Sequence, residues 1–137
     1  MEDYAKQIAN RCYYAHAKDV GNGNFGQNIM AGVEAQNINA GITNHMYNDE
    51  MEYYKSYGGE PDESGLELWG HFTQIVWADS QQVGCWTTDC GKDNLQNVNP
   101  GVGDQFTVCN YYPPGNFVGA YGKNINRPGG ARMLVVS

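Results

Sequence analysis

The sequence has neither an apolar run long enough to cross a membrane nor an excess of basic residues. A membrane-spanning helix needs about 20 consecutive apolar residues, and the apolar segment 133–136 near the C-terminus is far shorter. Eight lysine and arginine residues stand against 15 aspartate and glutamate residues, so the formal net charge is −7. Because nucleic-acid-binding proteins present basic patches to phosphate groups, we expect no nucleic-acid partner and no integral membrane protein.

A leader segment is also lacking. The first four residues, Met-Glu-Asp-Tyr, are polar and acidic, whereas a secretory signal begins with basic residues and continues with an apolar core. A helical pattern starts almost at once, with Asp3 as its candidate N-terminal cap. We therefore expect this sequence to be a segment of a longer protein.

The cysteines lack the C-x2-C spacing of a compact zinc site. Four residues separate Cys85 from Cys90, and 18 separate Cys90 from Cys109, with Cys12 far upstream. Zinc sites with four thiolate ligands normally use closer pairs. Two disulfides in an oxidising compartment are therefore favoured over a zinc site.

The remaining pattern predicts one domain over residues 1–137 with both helices and strands. Apolar and aromatic residues recur at helical spacing in two segments, and alternate in two others. The predicted elements are helices over 3–17 and from 37 or 39 to 57, strands over 82–88 and 105–111, one short strand after 117, and a loose tail over 123–137. Since helices and strands do not alternate regularly, an α+β fold is expected.

Three side chains are candidates for a polar site. His71 opens an apolar run with aromatic neighbours, although a single histidine is more often a packed, hydrogen-bonded one. His16 follows Cys12 by four positions on the predicted first helix, so both lie on one helical face. Glu50 lies on the predicted second helix between two tyrosines, although helical acids are usually solvated.

Four segments together resemble the signatures of the CAP superfamily, which comprises cysteine-rich secretory proteins, antigen five and pathogenesis-related class-one proteins. They read Gly-Gln-Asn-Ile at 26–29, Tyr-Asn-Asp-Glu at 47–50, Gly-His-Phe-Thr-Gln-Ile-Val-Trp at 70–77 and Val-Cys-Asn-Tyr-Tyr-Pro-Pro-Gly-Asn-Phe at 108–117. The resemblance implies an α-β-α sandwich with a small antiparallel sheet, disulfides and an open cleft. The family's first helix is absent here, so the resemblance also predicts N-terminal truncation.

The resemblance implies a cleft tetrad of His16, Gln27, Glu50 and His71, in which Gln27 stands where the family has glutamate. Asp49 is the alternative to Glu50, because this helix lacks the family's tryptophan. His16, His71 and Glu50 are the expected ligands of a weakly bound Zn²⁺ or another divalent cation, since imidazole suits zinc. The alternative is a polar network that holds no metal.

The resemblance also implies which cysteines pair and what the protein binds. The expected disulfides are Cys12–Cys85 and Cys90–Cys109. Sterol or lipid binding in the family is linked to an aromatic loop after the acidic helix, and the corresponding residues here are Tyr53, Tyr54, Tyr57 and Trp69. The alternative is that these rings pack the helix against the core.

The expected function is that of a secreted, extracellular, pathogenesis-related-like protein that is not an enzyme. It would bind a sterol or another small apolar lipid, or act in defence or as an effector on a cell-surface or host protein. The alternative is a metal-dependent hydrolase, a protease, that uses His16, Glu50 and His71. No motif places a serine or a free cysteine as a nucleophile, which favours the binding function.

Overall fold

The computed structural model of the chain describes residues 1–129. The regular elements are α1 (Glu2–Ala9), β1 (Gly26–Ala31), α2 (Ile38–Gly41), α3 (Asp49–Met51), α4 (Leu66–Val76), β2 (Gln82–Asp89), β3 (Gln105–Tyr112) and α5 (Tyr121–Asn124). A 3₁₀ turn (Ala35–Asn37) precedes α2, and π-helical turns (Ile42–Asn48) join α2 to α3. A second 3₁₀ turn (Glu63–Gly65) precedes α4. No helix within residues 1–129 is long and apolar enough to cross a membrane.

The three strands form one antiparallel sheet with β3 in the centre, in the order β1-β3-β2. The two predicted strands are confirmed, and each extends one residue beyond the prediction. No strand was predicted at β1, where Gly26 and Asn28 are poor strand formers. Its pairing with the buried central strand overrides that local preference.

Helices cover both faces of the sheet. Gly84 on β2 lies directly beneath the start of α1, where any side chain would collide with the backbone of Glu2. α1 thus packs on the face that holds Ile29 and Val108, where the first core cluster forms. On the opposite face, the side-chain amide of Asn28 donates to the carbonyl of His71 in α4 at 3.3 Å. The expected α-β-α sandwich is therefore confirmed.

The first helix is shorter than predicted, since it ends at Ala9 instead of residue 17. Cys12 has a φ of 52°, which a helix cannot accommodate. Beyond it the chain is extended and bonds to Gln96, which donates to the carbonyl of Cys12 and accepts from the amide of Tyr14, both at 2.9 Å. These tertiary contacts override the helical pattern, so His16 lies on an extended segment and not on a helix.

The second predicted helix is also displaced. Helical backbone runs continuously from Ala35 to Met51 and does not reach residue 57. Tyr54 leaves the helical path and is 1% exposed within an aromatic core, where it contacts Trp69 at 5.3 Å between ring centroids. The burial of this large ring outweighs the continuation of the helical periodicity.

The predicted disulfide pairing is wrong: the bonds are Cys12–Cys90 and Cys85–Cys109. Cys85 and Cys109 lie opposite each other on β2 and β3. Side chains alternate between the faces of a strand, and Gly84 faces α1, so Cys85 faces away from the α1 side. Cys12 follows α1 and therefore cannot reach Cys85. Cys90 lies an even number of residues beyond Gly84, so its side chain is on the α1 side of the sheet. There it forms the disulfide with Cys12, just after the end of β2.

Residues 121–125 pack into the second core cluster, which holds the rings of Tyr54, Trp69, Phe72, Trp77 and Tyr121 together with Ile125. The expected short strand after 117 is not found in the described part of this region, which forms α5. The predicted tail begins at 123, but Asn124 is buried and accepts from the amide of Ala78 at 3.1 Å. The part of the predicted tail from 130 to 137 lies outside the described residues.

Candidate functional site

An open cleft runs along the outer edge of β1, between the segment after α1 and the helices on the opposite face of the sheet. Its apolar lobe has a volume of about 390 Å³, and its walls include Tyr14, Ile29, Met30, Met46, Val98 and Val102. Its polar lobe has a volume of about 480 Å³, and its walls include His16, Gln27, Glu67, Gly70, His71 and Asn116. Tyr14, Ile29 and His71 line both lobes, so the two form one continuous cleft.

Glu50 and His71 form the buried side of the tetrad. A distance of 2.6 Å joins the His71 Nδ1 to the Glu50 Oε2. The other carboxylate oxygen, Oε1, accepts the backbone N–H groups of His71 at 2.9 Å and Phe72 at 3.2 Å. A carboxylate that accepts all three bonds requires a proton on Nδ1 of His71, which in the neutral imidazole leaves Nε2 as the acceptor.

His16 and Gln27 form the exposed side of the tetrad. The Gln27 Oε1 accepts the N–H of Ala17 at 3.1 Å and lies 3.0 Å from the His16 Nδ1. The Gln27 Nε2 donates to the carbonyl of Ala17 at 3.1 Å and to the Oδ1 of Asn110 at 2.9 Å. Because an amide oxygen can only accept, His16 must also carry its proton on Nδ1. In their neutral forms both histidines therefore have Nε2 as the acceptor.

The structure places Glu50, and not Asp49, against His71. α3 packs beside α4, which brings the Glu50 carboxylate to the backbone of the middle of α4. The Asp49 side chain is 57% exposed and its Oδ2 lies 3.4 Å from the Nδ1 of His45, one helical turn away. Adjacent helical positions point in different directions, so only one of the two acids can enter the cleft.

The donor set offers a divalent cation at most two imidazoles. Within the described residues, no three His, Cys, Asp or Glu side chains are grouped closely enough to hold one metal ion. Both oxygens of Glu50 accept hydrogen bonds within α4, so Glu50 orients His71 and is not free as a ligand, which is the usual role of a carboxylate behind a ligating histidine. The Nε2 atoms of His16 and His71 remain as the donors.

The structure divides the four residues expected to bind lipid. Tyr54 and Trp69 belong to the second core cluster, and burial raises the pKa of the Tyr54 hydroxyl to about 12. Tyr57 is half-buried, with its ring centroid 4.8 Å from the guanidinium of Arg127. Tyr53 is 58% exposed. These four rings therefore do not form one exposed surface, and two of them have the packing role that was the alternative.

Several residues that line the cleft were not predicted from the sequence. Met46 and Tyr14 reach it from the helical segment and from the extended segment that follows Cys12. Val98 comes from the glycine- and asparagine-rich loop between β2 and β3, where nothing in the local pattern indicated a cleft wall. Asn116 belongs to the second signature, so the sequence did carry a signal for it. Its side chain accepts from the Thr73 hydroxyl at 2.7 Å and donates to the carbonyl of Gly70 at 2.9 Å.

The chain belongs to the CAP family. The profile of this family, described as the cysteine-rich secretory protein family, matches residues 1–111. A probable pathogenesis-related protein of Arthroderma benhamiae is 38% identical over 136 residues, which cover 99% of this chain and 43% of that protein. Pathogenesis-related protein PR-1 of Medicago truncatula is 32% identical over 121 residues, which cover 85% of this chain and 58% of that protein. The chain thus spans less than two thirds of the length of these two relatives.

Two solved structures share the fold. BmVAL-1 superposes with a TM-score of 0.55 at 19% identity, covering 85% of this chain and 57% of that one. NaASP2, solved with Zn²⁺, superposes with a TM-score of 0.50 at 22% identity, covering 86% of this chain and 59% of that one. At these identities the likeness extends to the fold alone.

Proposed function

We propose that this chain is a pathogenesis-related CAP protein that binds a small apolar ligand, a sterol or another lipid, in the apolar lobe of its cleft and catalyses no reaction. The observation that carries the proposal is the apolar lobe itself, which lies beside the oriented His71–Glu50 pair. Its volume of about 390 Å³ lies within the range of small-molecule sites.

The walls of this lobe suit an apolar body with one hydroxyl group. Met30 and Met46 supply flexible, polarisable side chains that adapt to irregular apolar shapes. The Nε2 of His71 has a lone pair, since its other ring nitrogen donates to Glu50. A ligand hydroxyl can donate to this nitrogen while the hydrocarbon part contacts Val98 and Val102.

A second surface competes for the same ligand. Met51, Tyr54, Tyr57, Lys55, Arg127 and Pro128 surround a depression of about 320 Å³ on the opposite side of α3 from the cleft acid. Its floor includes two of the rings that the sequence analysis assigned to lipid binding. We favour the apolar lobe because no lysine or arginine lines it, whereas Lys55 and Arg127 surround the depression.

Binding of fluorescent cholesterol and ergosterol analogues tests the site. We expect Val102→Asp, which puts a charge into the apolar lobe, to weaken binding roughly tenfold, because an apolar contact is replaced by a carboxylate that the ligand would desolvate. Val83→Asp is the matched control, since it makes the same change at an exposed valine on β2. If Tyr57→Ala abolishes binding and Val102→Asp does not, the ligand lies at the depression instead.

We infer an extracellular, defence-related role from the family and the disulfides. Relatives carry the name pathogenesis-related, and all four cysteines form disulfides, which persist in oxidising compartments. A cell-surface or host protein is the corresponding partner class. Production in a reducing cytosol should give chains with free thiols and lower thermal stability than secreted chains. Equal stability of the two preparations would contradict the extracellular assignment.

A metal-dependent hydrolase is the second candidate, favoured by the short His71–Glu50 bond, because a carboxylate behind a histidine orients it as a metal ligand. Zn²⁺ held by the Nε2 atoms of His16 and His71 would supply an activated water. No serine or cysteine lines either lobe within the described residues.

Calorimetric titration with Zn²⁺ tests the metal. Heat no larger than that of the His16→Ala, His71→Ala double variant would exclude a cleft site. Hydrolysis of a casein substrate by the zinc-loaded protein that disappears in Glu50→Gln would overturn the non-enzymatic function.

A further inference from the structure

β1 is an edge strand whose outer side carries main-chain groups that no other strand pairs with. In the described part of the sheet, β1 pairs with β3 alone. The N–H of Gly32 donates to the carbonyl of Gln105 at 2.9 Å, and the same register continues along β1. Because inward and outward main-chain groups alternate in an antiparallel pair, the N–H and C=O groups of Gln27, Ile29 and Ala31 point away from β3.

This edge faces the cleft. Ile29, Met30 and Ala31 all line the apolar lobe, and Gln27, Asn28 and Ile29 all line the polar lobe. Side chains on a strand alternate between two faces, so three consecutive residues can line one cavity only where the edge of the strand forms part of its wall. The floor of the cleft is therefore a row of main-chain donors and acceptors with a period of two residues.

We infer that the β1 edge accepts an extended peptide as a fourth strand of the sheet. Unpaired main-chain groups at a strand edge are satisfied by another extended backbone. A rigid sterol offers one hydroxyl group and cannot pair with this row, so the inference goes beyond the proposed function. The occupant to which we commit is a segment of another polypeptide.

The walls of the cleft define the side chains of this peptide. The apolar lobe, near Ala31, fits an aliphatic side chain between Met46 and Val98. At the other end, Glu67 is exposed at the rim of the polar lobe, and the chain has a net charge of −7. These charges favour a basic side chain near Gln27. The preferred peptide therefore carries a basic and an aliphatic residue about four positions apart.

Two fluorescein-labelled, end-capped peptides test this inference by fluorescence anisotropy. Lys-Thr-Thr-Thr-Leu-Thr fits a parallel fourth strand, and its reverse, Thr-Leu-Thr-Thr-Thr-Lys, fits an antiparallel one. Each is also made with either alternate set of amides N-methylated. We expect one of the two peptides to bind. Methylation of the amides that face β1 should weaken the binding of that peptide roughly tenfold, because the hydrogen bonds to β1 are lost. Methylation of the other set should leave the affinity within about twofold. Equal effects of both sets, or no binding by either peptide, would overturn the inference.

A matched pair of proline variants locates the binding edge. Ala31→Pro removes a main-chain donor that faces the cleft, and proline is tolerated where the N–H of an edge strand points outward. Val83→Pro makes the same change on β2. The N–H of Cys90 donates to the carbonyl of Asp104 in the β2–β3 register. Inward and outward residues alternate, so the N–H of Val83, seven positions earlier, points away from β3. Roughly tenfold weaker peptide binding by Ala31→Pro alone supports the inference, and equal weakening by both variants contradicts it.

Amide hydrogen exchange in the wild-type protein gives a readout that needs no variant. The peptide should slow exchange at Ile29 and Ala31 and leave Val83 and Thr87 unchanged. Peptide binding without this protection would place the peptide elsewhere and overturn the inference. Sterol binding is measured separately on the same samples, so that failure of the proposed lipid function and failure of strand addition are distinguished.

Discussion

Each of the two histidines of the cleft carries a proton on its Nδ1, but different parts of the fold hold the two rings in place. His71 lies within α4 and bonds to a buried carboxylate that also accepts two backbone N–H groups of that helix. His16 lies on an extended segment and bonds to an amide. Regular secondary structure therefore carries Gln27, Glu50 and His71, whereas His16 is held through its bond to Gln27.

The difference explains why Gln27 suits its position. Its side chain lies among two donors, the N–H of Ala17 and the Nδ1 of His16, and two acceptors, the carbonyl of Ala17 and the Oδ1 of Asn110. An amide supplies both an acceptor and donors, whereas a carboxylate only accepts. The substitution of glutamine for the family's glutamate thus matches the local network and removes a negative charge from the cleft.

The largest expected effect concerns the attachment of the His16 segment. Cys12–Cys90 closes a loop of sequence separation 78, against 24 for Cys85–Cys109. Because the loop entropy of the unfolded chain grows with loop length, we expect Cys12→Ser with Cys90→Ser to cost about 4 kcal/mol of unfolding free energy, roughly 1 kcal/mol more than Cys85→Ser with Cys109→Ser. Urea unfolding of both double variants measures this difference, and the reverse order would contradict it.

Glu50→Ala tests the other half of the comparison. The change leaves the backbone N–H groups of His71 and Phe72 without their carboxylate partner, so we expect a loss of about 3 kcal/mol in unfolding free energy. Asp49→Ala is the matched control, because its exposed contact with His45 should contribute at most about 1 kcal/mol. Similar losses in the two variants would show that Glu50 has no special structural role.

The sequence allowed the fold and the cleft residues to be predicted where the information is local or carried by a motif. The signatures at 70–77 and 108–117 correctly identified the family, and alternation correctly predicted β2 and β3. The disulfides were wrong because their pairing depends on which face of β2 each cysteine occupies. The places of the tyrosines could not be predicted, because helical spacing does not distinguish a ring on the surface from a ring in the core.

Gln27→Glu would make the two halves chemically alike and is expected to cost about 2 kcal/mol at neutral pH. The introduced carboxylate would meet the carbonyl of Ala17, which cannot donate, and the loss of a buried hydrogen bond costs about this amount. These acceptors raise the pKa of the introduced carboxyl group above its unfolded value. Its contribution is therefore most favourable below about pH 4 and is lost as the pH rises through the folded pKa. Urea unfolding at pH 4 and pH 7 should show the larger deficit at pH 7, and a constant deficit would mean that Asn110 and water satisfy the carboxylate.

The smallest effect is expected at Tyr111, which is linked to His71 through the side chain of Asn28. The side-chain amide of Asn28 donates to both the Tyr111 hydroxyl and the His71 carbonyl, each at 3.3 Å, so Tyr111→Phe should cost about 1 kcal/mol.

Burial raises the pKa of Tyr111 to about 12, above the value of about 10 in an unfolded chain. A group with a raised folded pKa contributes stability below its unfolded pKa and loses it as the pH rises towards the folded value. Wild-type stability should thus fall between pH 10 and pH 12, where Tyr54 has the same effect, and Tyr111→Phe should reduce the slope of unfolding free energy against pH. An unchanged slope would show that Tyr111 ionises equally well in the folded protein, and that the support beneath His71 does not depend on its neutral hydroxyl.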